Sequence, residues 1–295
     1  MAHDPNKVAA LVAAINSAHG QDLELADKMP RGVNGAWTVV HRSSGLKEVL
    51  KLVHETDRTQ QLLAAKECSR IVNSSMVSTP AFGLIGYFSD IGTFYLQQFL
   101  PGLPSPLPTH KLVVQLLELN NRQESSCHQR GRNHYDLLQR TLWEDAQGWQ
   151  KRIKGFGPEG FDFLLRVWPL FMDRQIAGRT TDVVHGDFQH YNAMVTEEDV
   201  LTGYVDWDFA GYGDRSIDLT RLLYDCYVAE AELGYPPKPE TIALLKQRII
   251  DISGRAALEV YMAYWCLQVA DFGVKIGRAD ALKFFKVGHK IVTEL

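Results

Sequence analysis

The sequence is poor in the features that mark several large classes of protein. It has four cysteines in 295 residues, Cys68, Cys127, Cys226 and Cys266. No two of them form a Cys-x-x-Cys pair, so no zinc ribbon is expected, and reduced thiols of a cytoplasmic protein are the reading. No run of 18 uncharged apolar residues occurs, so no membrane-spanning helix is expected. Met1 to Lys7 carries Asp4 and lacks an apolar core, so no signal peptide is expected. An excess of one charge is missing too. With 31 basic and 35 acidic residues the net charge is −4, and Lys and Arg do not cluster, which gives no field for nucleic acid. What is present is an ordinary globular balance, 45% hydrophobic and 22% charged, at a length that suits two lobes. The expectation is a cytoplasmic monomer or homodimer with no nucleic-acid or membrane partner.

The pattern changes along the chain. Val8, Leu11, Val12 and Ile15 have helical spacing over residues 5–19. Residues 36–41 and 48–53 read as strands around Ser43-Ser44-Gly45, residues 57–72 as a helix, and 82–88 and 93–99 as two more strands. Residues 100–108 then hold four prolines, an extended connection unsuited to helix. Beyond it the pattern is helical over 109–121, 134–153, 159–177, 215–232, 239–252, 255–272 and 278–293. Residues 181–208 interrupt it with short β-like runs at 182–184, 193–195 and 203–205. The expected organisation is α+β in two lobes. A small antiparallel-sheet lobe (1–98) covers a nucleotide, a proline-rich hinge follows (99–108), and a larger, mostly helical lobe (109–295) carries the catalytic loop.

That interruption carries the chemistry. Asp187 and Asn192 are separated by four residues, the spacing of the kinase catalytic loop H-R-D-x-x-x-x-N, with His185 in place and Gly186 where the arginine would stand. Asp206 lies 14 residues beyond Asn192, after an apolar hairpin strand, where a second metal-binding aspartate belongs. Phosphoryl transfer needs a carboxylate to orient the hydroxyl, a divalent metal and cations on the phosphates, and an Asn carbonyl with an Asp carboxylate suits Mg²⁺.

Residues 183–192, 204–208 (Tyr204-Val205-Asp206-Trp207-Asp208) and 211–219 (Gly211 to Leu219) resemble the aminoglycoside phosphotransferase and choline kinase family. The resemblance implies a protein-kinase-like two-lobed fold. It implies Asp187 as catalytic base, Asn192 and Asp206 as magnesium ligands, and Asp218 as a brace for the loop. It also implies ATP as donor, with GTP left open, and a hydroxyl of a small molecule as acceptor. An aminoglycoside-type or other antibiotic comes first, with resistance as its role. Choline, homoserine, a sugar or another metabolite is the alternative. A nucleotide-binding pseudoenzyme is the reading from another class.

The first lobe offers the remaining parts. Lys51 lies between apolar neighbours on a strand, and Glu67 in the following helix is its best partner, with Glu55 weaker. The turn at 31–37, with Asn34 and Gly35, is the candidate phosphate cover. Gln98 and Leu100 occupy the stretch similar to the family's hinge, where backbone groups meet the adenine. Asp208 reads equally as a substrate contact, a second metal site or a solvent-facing carboxylate. His185 reads as a buried histidine holding the loop. His185-x-Asp187-x-x-His190 would otherwise suggest a metal-dependent hydrolase. Tyr261, Tyr264, Trp265 and Phe272 read as helix core before substrate wall. Asp271, Glu230 and Glu232 are exposed helix carboxylates by default and amine ligands otherwise.

Overall fold

Val8, Leu11, Val12 and Ile15 are all buried on α1 (Pro5–His19), as their spacing requires. The structure, a computed structural model, describes residues 5–29, 35–54, 56–73, 77–125, 131–177 and 181–295. After α1 come β1 (Leu23–Lys28), β2 (Ala36–His41), β3 (Lys47–His54), α2 (Thr59–Val72), β4 (Phe82–Phe88) and β5 (Gly92–Gln98). The strands form one antiparallel sheet in the order β1-β2-β3-β5-β4. β1 has no counterpart among the expected strands. It is an edge strand whose outward Glu24, Asp27 and Lys28 mask its alternation.

Alternation along the strands divides this sheet into two faces. Trp37, Val39, Leu50, Phe94 and Leu96 pack with α1 in one core. Tyr95 and Phe82 belong to the other core, shared with Leu62, Ala65, Cys68 and Val72 of α2 and with the helical lobe. β3 lies at the centre of the sheet. Lys51 therefore sits between Ala36 of β2 and Tyr95 of β5, held by two ladders and on the face opposite Leu50.

The helical lobe contains β6 (Leu103–Pro104), α3 (His110–Asn121), β7 (Arg132–Asn133), α4 (His134–Glu144), α5 (Trp149–Gly155) and α6 (Pro158–Val167). Next come β8 (Asp182–Val184), β9 (Ala193–Val195), β10 (Leu201–Tyr204) and β11 (Gly211–Gly213), then α7 (Ser216–Leu233), α8 (Pro239–Ser253), α9 (Arg255–Ile276) and α10 (Arg278–Glu294). The helix expected over 134–153 is two helices. Asp145 and Gly148 take left-handed φ of 47° and 66°, and the Asp145 carboxylate accepts from the N–H groups of Gln150 and Lys151. The segment 159–177 is helical only to Val167, where a 3-10 turn carrying Pro169 ends it. Within the proline-rich stretch, Leu103-Pro104 pairs with Val195 and Met194 as an edge strand, a position that tolerates proline. The architecture is α+β and two-lobed, of the protein-kinase kind.

Candidate active site

β8 delivers the chain to His185, Gly186 and Asp187, and the loop is tied from three sides. The His185 ring is fully buried against Tyr204 and Trp207. Its Nδ1 accepts from the Asp187 N–H at 3.2 Å, so the proton is on Nε2, which donates to Val205 O at 3.0 Å. Burial pulls the ring's pKa down to about 4, so it is neutral. Gly186 has φ +81°, and a Cβ there would lie 2.6 Å from His134 Cε1 and 2.9 Å from Phe209 O. Asp218, in the first turn of α7, accepts from the N–H groups of His185 (2.7 Å) and Gly186 (2.9 Å) and from Gln123 Nε2 (2.7 Å). Its burial pushes the carboxyl up to about 7 against those donors. Asp218 also sits at a helix start, so bracing and N-terminal stabilisation coexist.

Asp187 is 25% exposed at the side chain and opens outward from this loop. Asn192 Nδ2 donates to its backbone carbonyl at 2.9 Å, Gln189 Nε2 to Oδ2 at 2.9 Å, and Arg221 Nε to Oδ1 at 3.4 Å. Burial raises the carboxyl above the usual range. Arg221 pulls it down and Asp206 pushes it further up. Arg221 was missed in the sequence. Its signal is its spacing, three residues after Asp218 in an apolar helix and so one turn along the same face.

Across from the loop, Lys51 Nζ lies 2.6 Å from Asp206 Oδ1 and 3.6 Å from Asp208 Oδ1. Asp206 has left-handed φ 70°, a strained position that aspartate tolerates. Burial would raise its pKa, yet the Lys51 charge and hydrogen bond hold it below the usual carboxylate range. Lys51 is held charged in return. The expected Lys51–Glu67 pair gives way to this arrangement. Glu67 is 40% exposed and takes Arg70 in a two-point ion pair at 2.6 and 2.9 Å, because the buried face of α2 is Leu62, Ala65, Cys68, Ser69 and Val72. Asp208 faces neither solvent nor an open substrate space. It is 4% exposed, and its carboxylate meets Lys51 and the Tyr95 hydroxyl. Tyr95, also missed, is fixed by its register opposite Lys51.

The other expected positions divide. The Gln98 N–H is committed to Ala81 O at 2.8 Å, and Leu100 is buried. Gly35 enters β2 with φ +65°, while Asn34 and Glu55 lie outside the described residues. The His190 ring bonds to buried Asp225, turned away from a ligand set with His185 and Asp187. Among the described residues, no group of three His, Cys, Asp or Glu could hold a metal ion. Tyr261, Tyr264 and Trp265 are buried, with Tyr261 donating to Asp214, so this cluster is helix core; Phe272 is exposed. Asp271 pairs with Arg152 and Lys275, Glu230 with Lys290, and Glu232 with Lys283. Cys226 and Cys266 are buried thiols, and Cys68 Sγ lies 3.5 Å from Gly211 O.

A lysine on the central strand of a small sheet, an H-x-D loop tied to the following helix and an aspartate reaching back to that lysine define a kinase-like phosphotransferase. The chain belongs to the phosphotransferase enzyme family, whose model matches residues 30–237. No curated protein sequence matches it. Solved structures resemble it in fold. Aminoglycoside phosphotransferase APH(4)-Ia superposes with TM-score 0.70 at 16% identity, covering 98% of this chain and 99% of that one. A thermostable mutant of that enzyme, in ternary complex with AMP-PNP and hygromycin B, gives 0.69 at 16% identity over 95% and 97%. Plasmodium vivax ethanolamine kinase gives 0.57 at 12% identity over 99% and 89%. Among the described residues, no helix is long and apolar enough to cross a membrane.

Proposed function

We propose that the protein transfers the γ-phosphoryl group of ATP to a hydroxyl of a small molecule, with Asp187 orienting the attacking oxygen and taking its proton. One observation carries the reading. A partly open carboxylate, in a loop tied down by Asp218 and His185, lies within electrostatic reach of an ionised Lys51–Asp206 pair. Phosphoryl transfer asks for little else from a protein beyond positioning and charge. Lys51, held by Asp206 and Asp208, would bind the α- and β-phosphates. Asn192 and Asp206 would hold Mg²⁺. Both offer the hard oxygen donors it prefers, Asp206 is kept ionised by Lys51, and the amide nitrogen of Asn192 is spent on Asp187. When bound, the ion neutralises charge on the phosphates.

Residues 1–98 would cover the nucleotide and 109–295 would receive the acceptor. The connection at 99–108 would meet the adenine through the Gln98 carbonyl and the Leu100 backbone, with the Gln98 N–H already engaged. AMP-PNP in a structural neighbour favours ATP over GTP. Hygromycin B in that neighbour favours an aminoglycoside-type antibiotic as acceptor. The second reading is choline, homoserine, a sugar or another metabolite, and Asp271, Glu230 and Glu232 are paired with Arg152, Lys290 and Lys283.

The test is an ADP-release assay with Mg²⁺ and ATP. The panel would hold hydroxyl-bearing antibiotics, choline, homoserine and sugars, with mass detection of the product. The expected result is acceptor-dependent ADP release and a product heavier by one phosphoryl group. MgATP binding with no release on any acceptor would favour a pseudoenzyme. Tightly bound transition metal without ATP binding would favour a hydrolase.

A further inference from the structure

Three side chains close a ring around the loop carboxylate. Arg221 Nε donates to Asp187 Oδ1 at 3.4 Å and its Nη2 to Gln189 Oε1 at 2.7 Å, while Gln189 Nε2 donates to Asp187 Oδ2 at 2.9 Å. Oδ1 thus has Arg221 as donor, and Oδ2 has Gln189 and, at 3.4 Å, Asn192 Nδ2, so the guanidinium bears on both oxygens, directly and through Gln189. Arg221 is itself held. It is 13% exposed and lies over the rings of Trp265 (5.4 Å) and Tyr224 (5.9 Å). Trp265 is anchored by its own bond to Ile217 O at 3.0 Å. These contacts run through α7, the helix whose first turn carries Asp218, so one rigid element fixes the loop backbone by Asp218 and the loop carboxylate by Arg221.

We propose that Arg221 is the positioning residue of the base, setting the rotation of the Asp187 carboxylate through the Arg221–Gln189 fork. The proposal rests on the phosphotransferase reading of Asp187. A base gains its effect by being held in the attacking geometry, and small misplacements cost large factors in rate. A lysine carries the charge without the planar fork and reaches one partner at a time. Because Arg221 acts through Gln189 on the same carboxylate, the two residues form a series, and removing both costs little more than removing Arg221.

The experiment measures kcat and both KM values for wild type, Arg221→Met, Arg221→Lys, Gln189→Met and the Arg221→Met/Gln189→Met double variant. The substrates are MgATP and whichever acceptor of the panel wild type phosphorylates. Thermal melting and MgATP affinity are followed as checks on the fold. The expected result for Arg221→Met is a fall in kcat of about 10- to 100-fold with KM for ATP within about threefold. Arg221→Lys should recover part of the loss, and the double variant should fall within about threefold of Arg221→Met. Arg221→Met with kcat within about twofold of wild type overturns the proposal, as does a double variant whose losses multiply. If Arg221→Met melts before assay, Gln189→Met decides: unchanged kcat there overturns it. Wild type inactive on every acceptor while binding MgATP refutes the phosphotransferase reading instead, and the proposal with it.

Discussion

Replacing Asp218 tests the brace behind the catalytic loop more severely than any change inside the loop. Its carboxylate is fully buried and takes three donors, the N–H groups of His185 and Gly186 and the amide of Gln123. Asp218→Ala leaves all three buried without an acceptor, at about 1–3 kcal/mol each. Partial relaxation brings the total to about 3–6 kcal/mol, a large share of the roughly 5–15 kcal/mol that holds a folded protein together. At about 2–4 °C per kcal/mol for a chain of this class, the melting point should fall by about 6–24 °C. Asp218→Asn keeps one acceptor oxygen and turns an NH₂ toward the remaining donor, so about half that loss is expected, with the loop displaced. The assay is thermal unfolding followed by circular dichroism, alongside MgATP affinity and turnover. Asp218→Asn should stay folded and lose turnover. An Asp218→Ala protein melting within about 2 °C of wild type, with undiminished turnover, would refute the reasoning.

Other perturbations probe separate parts. Lys51→Met removes the cation that bridges Asp206 and Asp208 and should weaken MgATP binding at least about tenfold by calorimetry; unchanged affinity contradicts the phosphate role. Gly186→Ala puts a Cβ 2.6 Å from His134 Cε1 at a left-handed φ, so a loss of about 1–3 kcal/mol in urea unfolding and a fall in turnover are expected; wild-type values for both would contradict the close approach. His41 bridges Glu48 (2.8 Å) and Asp22 (3.1 Å), and the Glu48 bond first, then Asp22, raises its pKa against burial. That stabilisation is present below the unfolded histidine value and fades as pH rises through the folded one. The melting-point gap between wild type and His41→Gln should therefore be wider near pH 5.5 than near pH 9, and equal gaps would count against the bridge.

What was legible in the sequence was what chemistry places close together along the chain. His185, Asp187, Asn192, Asp206 and Asp218 come from one stretch of about 35 residues, and the tie from Asp218 to the loop is the one the family resemblance implied. The long amphipathic helices and the alternating strands of the first lobe were legible for the same reason. Lys51 was legible as a strand lysine, but its partners were not. Asp208 and Tyr95 reach it from segments distant in sequence, whereas the pairing with Glu67 depended on the rotation of α2, which turns Leu62, Ala65, Cys68 and Val72 inward and leaves Glu67 on the outer side. Arg221 was hidden because a cation in an apolar helix reads as a surface residue until the fold brings Asp187 opposite it. β7 and β11 are two- and three-residue strands that exist through their partners, and Arg132-Asn133 and Gly211-Tyr212-Gly213 lack the apolar runs that announced β8 and β9.

The central claim is that Asp187 is the base of a phosphoryl transfer. The most direct measurement compares turnover and MgATP affinity of wild type and Asp187→Asn on one phosphorylated acceptor. Turnover lower by at least about two orders of magnitude, with nucleotide affinity unchanged, is the predicted result, as for loss of a positioned base. Near-normal turnover in the purified variant would contradict it.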